Sequence, residues 1–234
     1  MNRTKVHIVV TASLIFENYI TRKDEYINSI SHLIDETQKL SNKTNIDTYI
    51  YIVENGGHRV TFLQDFEKYI SKNLFIKVYY TNHNSILTHN KGLKELLDLT
   101  YFLKHFEPDS ISDDDILVKI TGRYRVGKDC TFLNVLYHHL NDYDAFIRTG
   151  AFMYPSQTID ERDNYDCLTG LFGARAGTLR QELPYYIKNL REHEWIEWVI
   201  IMIIQNSFLN KRIHVFDYLG LWIKTAYMKE YQLF

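Results

Sequence analysis

An α/β fold with a mainly parallel central sheet flanked by helices is what the sequence predicts, and three observations carry that expectation. Apolar, β-branched runs alternate with amphipathic stretches through the first half, in the order strand, helix, strand, helix, strand, helix, strand. The opening run, VHIVVTASLI (residues 6–15), is nearly unbroken in its apolar character, as befits a strand covered on both faces. Three prolines and ten glycines in 234 residues leave no linker-like or low-complexity stretch, so one domain is the simplest organisation.

Each element has its own signal. Residues 22–40 place Tyr26, Ile27, Ile30, Leu33 and Ile34 at helical spacing. DTYIYIVENGG (47–57) reads as a second strand closed by a Glu-Asn-Gly-Gly turn. FLQDFEKYI (62–70) reads as a short helix, IKVYYTN (76–82) as a third strand and HNKGLKELLDLTYFLKHF (89–106) as a helix closed by Pro108. ILVKITGRY (116–124) is the fourth strand. The second half is less regular. YDAFIRTGAF (143–152) and CLTGLFGAR (167–175) look like strands, 177–190 and 195–209 like helices, and IHVFDYLGLWI (213–223) like one last strand. This divides the chain into a nucleotide-binding front half, about 1–126, and an irregular substrate-binding back half, about 127–234.

Composition excludes several classes. A net charge of −2 supplies no basic field for nucleic acid or an anionic membrane. Two cysteines, Cys130 and Cys167, are too few for a disulfide framework or a Cys-based zinc site and read as free thiols of a reducing compartment. No stretch is apolar and long enough for a signal peptide or a membrane span, since the run 195–204 is short and carries Glu197. A cytoplasmic protein is therefore expected. Aromatic residues make up 15%, enough to line a cleft as well as a core.

In a parallel α/β sheet, ligands bind outside the carboxyl ends of the strands. The triplet Asp113, Asp114 and Asp115 precedes the fourth strand, so it is expected at the opposite rim, as a solvated loop. The carboxyl rim should carry Thr11 and Ser13 after the first strand, Glu54 and its turn after the second, and Asn90 and Lys91 at a helix start after the third. After the fourth come Arg123 and Arg125. A helix N-terminus favours anions, and an arginine fork suits phosphate. Arg123 could instead pair with a neighbouring carboxylate, and Glu54 could simply cap its turn.

A first strand ending in small polar residues, a VENG turn, an N-x-G helix start and the run KITGRY together resemble GT-A-type glycosyltransferases. The similarity is to a small group, from large DNA viruses and bacterial surface-polysaccharide clusters, that carries KxTGRY where other members carry Asp-x-Asp. It extends over about residues 5–126; from 127 to 234 only the order of elements agrees. The resemblance implies a GT-A-like (Rossmann-like) domain that moves a hexose or deoxyhexose from a nucleotide-diphosphate donor, a UDP-sugar above all, to a hydroxyl of a glycan or glycoprotein. It implies a setting in a viral host's cytoplasm or a bacterial cytosol. Carried over by position, Thr11, Ser13 and Glu54 would meet the nucleoside, Asn90 and Lys91 the nucleotide, and Arg123 the diphosphate. Since Arg123 stands where Asp-x-Asp would hold manganese or magnesium, metal dependence stays open. Arg123, Arg125 and Lys91 could neutralise the leaving group themselves.

Inverting members place a carboxylate at the start of a late helix as general base. Here the segment 191–205 offers Glu192, Glu194 and Glu197. Glu197, where the segment turns wholly apolar, is the first choice and Glu194 the second, with Trp195 and Trp198 beside them for a sugar ring or for the core. The polar segment 153–167 is expected to border the acceptor, with Asp166 fixing hydroxyls. His214 is a metal or phosphate candidate, though a lone histidine there is more simply structural. Two other classes fit the same pattern, a nucleotidyltransferase and a non-catalytic nucleotide- or glycan-binding module. The first would want a Gly-, Arg- and Lys-rich loop after the first strand, which TASLIFENY lacks.

Overall fold

A computed structural model describes residues 5–14, 19–86, 90–107, 110–149, 168–190, 196–207, 212–223 and 230–233. Its centre is a seven-stranded sheet in the order β3-β2-β1-β4-β7-β6-β8. β1 (Val6–Ala12), β2 (Thr48–Glu54), β3 (Leu74–Tyr80) and β4 (Ile116–Thr121) run parallel. β6 (Ala145–Ile147) and β8 (Ile213–Val215) share their direction, and β7 (Leu171–Arg175), between β4 and β6, is the one reversed strand of this sheet. The helices are α1 (Tyr19–Thr44), α2 (Lys91–Tyr101), α3 (Thr131–His138), α4 (Ala176–Asn189) and α5 (Ile196–Ser207). This is the expected α/β architecture.

The strands sort their side chains by the period of two. Ile8 and Val10 of β1, Ile50 and Ile52 of β2 and Val118 and Ile120 of β4 join one apolar cluster with Tyr26, Ile30, Leu33 and Ile34 of α1 and Leu133 and Leu136 of α3. Val9, Tyr51, Val53 and Leu117 point the other way, onto Leu96 and Leu99 of α2, Leu179 of α4 and Ile200 and Ile203 of α5. The helical spacing in residues 22–40 is thus the core face of α1, extended by several residues at each end. The segment 62–70 forms a 3₁₀ helix, Phe62–Lys68, started by Thr61, whose hydroxyl accepts from Leu63 N at 3.3 Å.

Two expectations need correction. IHVFDYLGLWI is two strands in two sheets. Phe216 N still bonds Ile147 O at 2.8 Å, but the chain then turns through Gly220, at φ +74°, and β9 (Leu221–Ile223) joins a small sheet between β5 (Arg125–Val126) and β10 (Gln232–Leu233). A left-handed backbone at a position where a Cβ would sit 2.9 Å from Thr131 N admits only glycine, and that glycine divides the run.

The acidic triplet does lie at the amino rim, but it is not uniformly solvated. Asp115 is 4% exposed and accepts from Lys5 N at 2.9 Å, Ser112 N at 2.9 Å and His7 Nε2 at 3.1 Å. His7 continues the network to Tyr51 Oη at 3.2 Å and stacks against both the Tyr49 and the Tyr51 ring. Burial by itself raises the Asp115 pKa, yet the His7 bond and the two backbone donors outweigh it and hold the carboxyl below its ordinary value. Replacing Asp115 by Asn should lower stability at pH 7 by about 1–3 kcal/mol in chemical denaturation. The folded carboxyl titrates below the unfolded one. Its contribution is therefore present above about pH 4 and lost as pH falls through the folded pKa, and the gap between variant and wild type should close in acid.

Candidate functional site

The strand order places a topological switch point between β1 and β4. From β1 the chain builds outward through β2 to β3, then returns to β1's other side for β4. The crevice at such a point, outside the carboxyl ends, is where doubly wound sheets take ligands. The register keeps those ends level, pairing Thr11 with Thr121 and Ala12 with Glu54. A cavity of about 230 Å³ opens there, with Thr11, Ser13, Asn55, Lys91, Glu95 and Arg123 in its wall.

Local chemistry shapes each wall. After β1, Ser13 is tied to α1, because its N–H donates to Tyr26 Oη at 2.9 Å and its carbonyl accepts from Arg22 Nη1 at 2.9 Å. After β4 the chain turns tightly, Tyr124 N to Thr121 O at 2.8 Å, and Gly122 N donates to Thr11 O at 2.9 Å. A Cβ on Gly122 would stand 2.8 Å from a Tyr26 ring carbon and 3.0 Å from Thr11 O, so only glycine lets the turn lie against β1. Asn90 caps α2, its side chain accepting from Leu93 N at 3.1 Å, and this brings Lys91, Lys94 and Glu95 round to the cavity.

Thr11, Ser13, Lys91 and Arg123 line one cavity, and Asn90 starts the helix that supplies one wall. Among the described residues, neither Arg123 nor Lys91 is held in an ion pair. Glu54 stands behind the wall. It is 1% exposed, and its Oε1 accepts from Leu14 N and Gly56 N, both at 2.9 Å, which is the capping role its position allowed. Burial raises the Glu54 pKa, partly opposed by those two donors. Arg125 lies off the cavity on β5, exposed and 3.0 Å from His32 Nε2. His214 sits among Tyr143 and Phe216 rings, with its pKa lowered by burial, as a structural residue would be. Glu192, Glu194, Trp195 and Asp166, with Cys167, lie outside the described residues. Glu197 and Trp198 lie in the first turn of α5, and their side chains are likewise outside the description. Cys130 is a buried free thiol, its pKa pushed up to about 11 by burial.

Several cavity residues carried no sequence signal. Arg22 and Lys94 look like ordinary helix-surface cations, and Glu95 like their counterpart. Asn55 is 3% exposed and donates to Asp98 Oδ2 at 2.7 Å, while Asp98 also accepts from Thr81 Oγ1 and His83 Nδ1, each at 2.7 Å. Only the period of two on β1 and β4, combined with the helical period of α2, could have brought Thr11, Lys119, Thr121 and Glu95 together.

Among the described residues, Arg22, Lys91, Lys94 and Arg123 surround the cavity with positive charge, against one carboxylate, Glu95. Manganese or magnesium needs oxygen ligands, carboxylates among them. Among the described residues no three His, Cys, Asp or Glu side chains gather to hold an ion, Glu95 carries Lys119 on one oxygen, and the place after β4 presents Arg123. The described donor set does not fit a divalent cation; it fits an anion. No helix among the described residues is long and apolar enough to cross a membrane.

No family model and no curated protein matches this chain. Among solved structures it is similar to the apo form of mouse xyloside xylosyltransferase 1, at 8% identity and TM-score 0.53, over 92% of this chain and 85% of that one. It is also similar to 4-diphosphocytidyl-2C-methyl-D-erythritol synthase, at 10% identity and TM-score 0.52, over 96% and 95% of the two chains. Likeness at these identities is likeness of fold, and the fold is GT-A-like. A xylosyltransferase and a diphosphocytidyl synthase share it, so the reaction must be argued from the cavity.

The Gly122 contacts give a direct test of the wall. Gly122→Ala should cost about 1–3 kcal/mol of stability in chemical denaturation, because a buried tyrosine ring and a strand carbonyl must both shift.

Proposed function

We propose that this chain is a glycosyltransferase that takes its sugar from a nucleotide-diphosphate donor, a UDP-sugar, and passes it to a hydroxyl of a glycan or glycoprotein. The observation that carries the reading is the cationic cavity at the switch point, where Arg123 and Lys91 lie free of ion pairs among the described residues. Departure of a nucleoside diphosphate requires its developing charge to be met as the glycosidic bond breaks. Arg123 and Lys91, supported by Arg22 and Lys94, supply fixed positive charge for that purpose. Ser13 and the backbone after β1 offer a small-residue shelf for the nucleoside, with Thr11 and Glu54 behind it. The front half, 1–126, holds the donor, and the back half, 127–234, the acceptor, with Asp166 among its contacts.

The remaining step is removal of the acceptor's proton. Glu197 falls in the first turn of α5, a helix whose next residues, Val199 to Ile204, are nearly all buried in the core. A carboxylate where a helix enters the core is partly desolvated and suited to act as general base. In-line attack assisted by Glu197 gives inversion, and Glu194 is the second candidate. The alternative reading as a nucleotidyltransferase draws on the shared fold with the diphosphocytidyl synthase; nucleoside triphosphate turnover in place of sugar transfer would select it.

Two variants test the assignment. Arg123→Ala should weaken UDP binding about tenfold or more in calorimetry, as loss of a charged hydrogen-bond donor does. Glu197→Gln should bind UDP-sugar as the wild type does and lose transfer by a factor of about 10² or more. Unchanged turnover in the second variant removes Glu197 from the mechanism.

A further inference from the structure

Among the described residues that line the cavity Glu95 is the one carboxylate, and its two oxygens have different surroundings. Oε2 accepts three hydrogen bonds, from Lys119 Nζ, from Thr121 Oγ1 at 3.0 Å and from Thr11 Oγ1 at 3.2 Å. Lys119 is 1% exposed, and its ammonium has three protons and three acceptors: Glu95, Thr121 Oγ1 at 2.9 Å and Thr169 O at 3.0 Å. The Thr121 hydroxyl accepts from the lysine and donates to the carboxylate, so the hydrogen bonds run in one direction round the cluster. Oε1 has no hydrogen bond among the described residues, and the Glu95 side chain keeps 28% exposure at the cavity.

A purely structural ion pair with Lys119 would leave that second oxygen without purpose. A fixed anionic oxygen inside a cavity for a diphosphate repels phosphate, so the part of the ligand beside it must bring hydrogen-bond donors. Hydroxyl groups do this, in short charge-assisted bonds. We infer that Glu95 reads a hydroxyl of the nucleotide-sugar, on the ribose or on the transferred sugar. Lys119 and Thr121 of the KITGRY run, with Thr11, are positioning residues that hold one carboxylate oxygen so that the other faces the ligand. The inference rests on the nucleotide-sugar reading proposed above.

Glu95→Gln keeps the volume and leaves a carbonyl oxygen for the three clamping donors, while the other end changes from acceptor to donor. Binding of UDP, UDP-glucose, UDP-galactose and UDP-N-acetylglucosamine is measured by calorimetry for both proteins. The expected result is a loss of about ten- to a hundredfold in affinity. Loss confined to the UDP-sugars puts the hydroxyl on the transferred sugar, and an equal loss for UDP puts it on the ribose; either supports the inference. Unchanged binding overturns it, and so does tighter binding, which is what relief of simple repulsion gives. Wild-type protein that binds none of the four overturns the nucleotide-sugar reading itself, and the inference with it. If Glu95→Gln fails to fold, Thr11→Val removes one clamping donor at nearly constant shape and should weaken the same ligands about two- to tenfold. Thr11→Ser, which keeps the hydroxyl, should restore them; no difference between the two Thr11 variants overturns the inference.

Discussion

β1 is hydrogen-bonded on both sides to parallel strands, and the rest of the molecule depends on that pairing. With β2 on one side and β4 on the other, in registers that set Ala12 beside Glu54 and Thr11 beside Thr121, the strand ends form one rim. A slip of one residue in either ladder would turn every side chain of the slipped strand to the opposite face. It would move Lys119 and Thr121 away from α2 and put Ile120 in their place. The buried faces prevent this, because Ile8, Val10, Val118 and Ile120 pack together against α1 and α3 and could not be exchanged for a lysine and two threonines at tolerable cost.

The same alternation explains why a charged residue can lie in the middle of a buried strand. Lys119 lies between Val9 of β1 and Phe172 of β7, yet each of its protons has an acceptor, and the one that carries charge comes from the helix opposite. A buried charge with a complete set of partners is tolerated, and one missing a partner is not. The amino rim repeats the pattern with Asp115, His7 and Tyr51. Polar groups thus close the sheet at both ends. The carboxyl rim differs in carrying a cavity and cations beyond its internal pairs.

Much of the front half was legible in the sequence, for a physical reason. Buried parallel strands need unbroken apolar runs, and amphipathic helices need the 3.6 period, so β1, α1, β2, β3, α2 and β4 each left a local mark. The rim residues followed, since strand ends can be read once the strands are known. The rest depended on distance. Glu95 meets Lys119 across twenty-four positions, and nothing local in KELLDL announces it. Asp115 looked like its two neighbours until its contacts with Lys5 and His7 set it apart. IHVFDYLGLWI has the composition of a single strand, and only the close approach of Gly220 to Thr131 shows why it must break. Arg125 follows Arg123 by two positions, but the turn between them sends it to a different sheet.

On the proposed function, the cavity between the ends of β1 and β4 receives a diphosphate on Arg123 and Lys91. A crystal structure of the protein with UDP decides this. The diphosphate is expected within hydrogen-bond reach of both side chains, with the uridine against Ser13 on the β1 side. UDP seated at the amino rim beside Asp113 and Asp115, or touching neither cation, would contradict it.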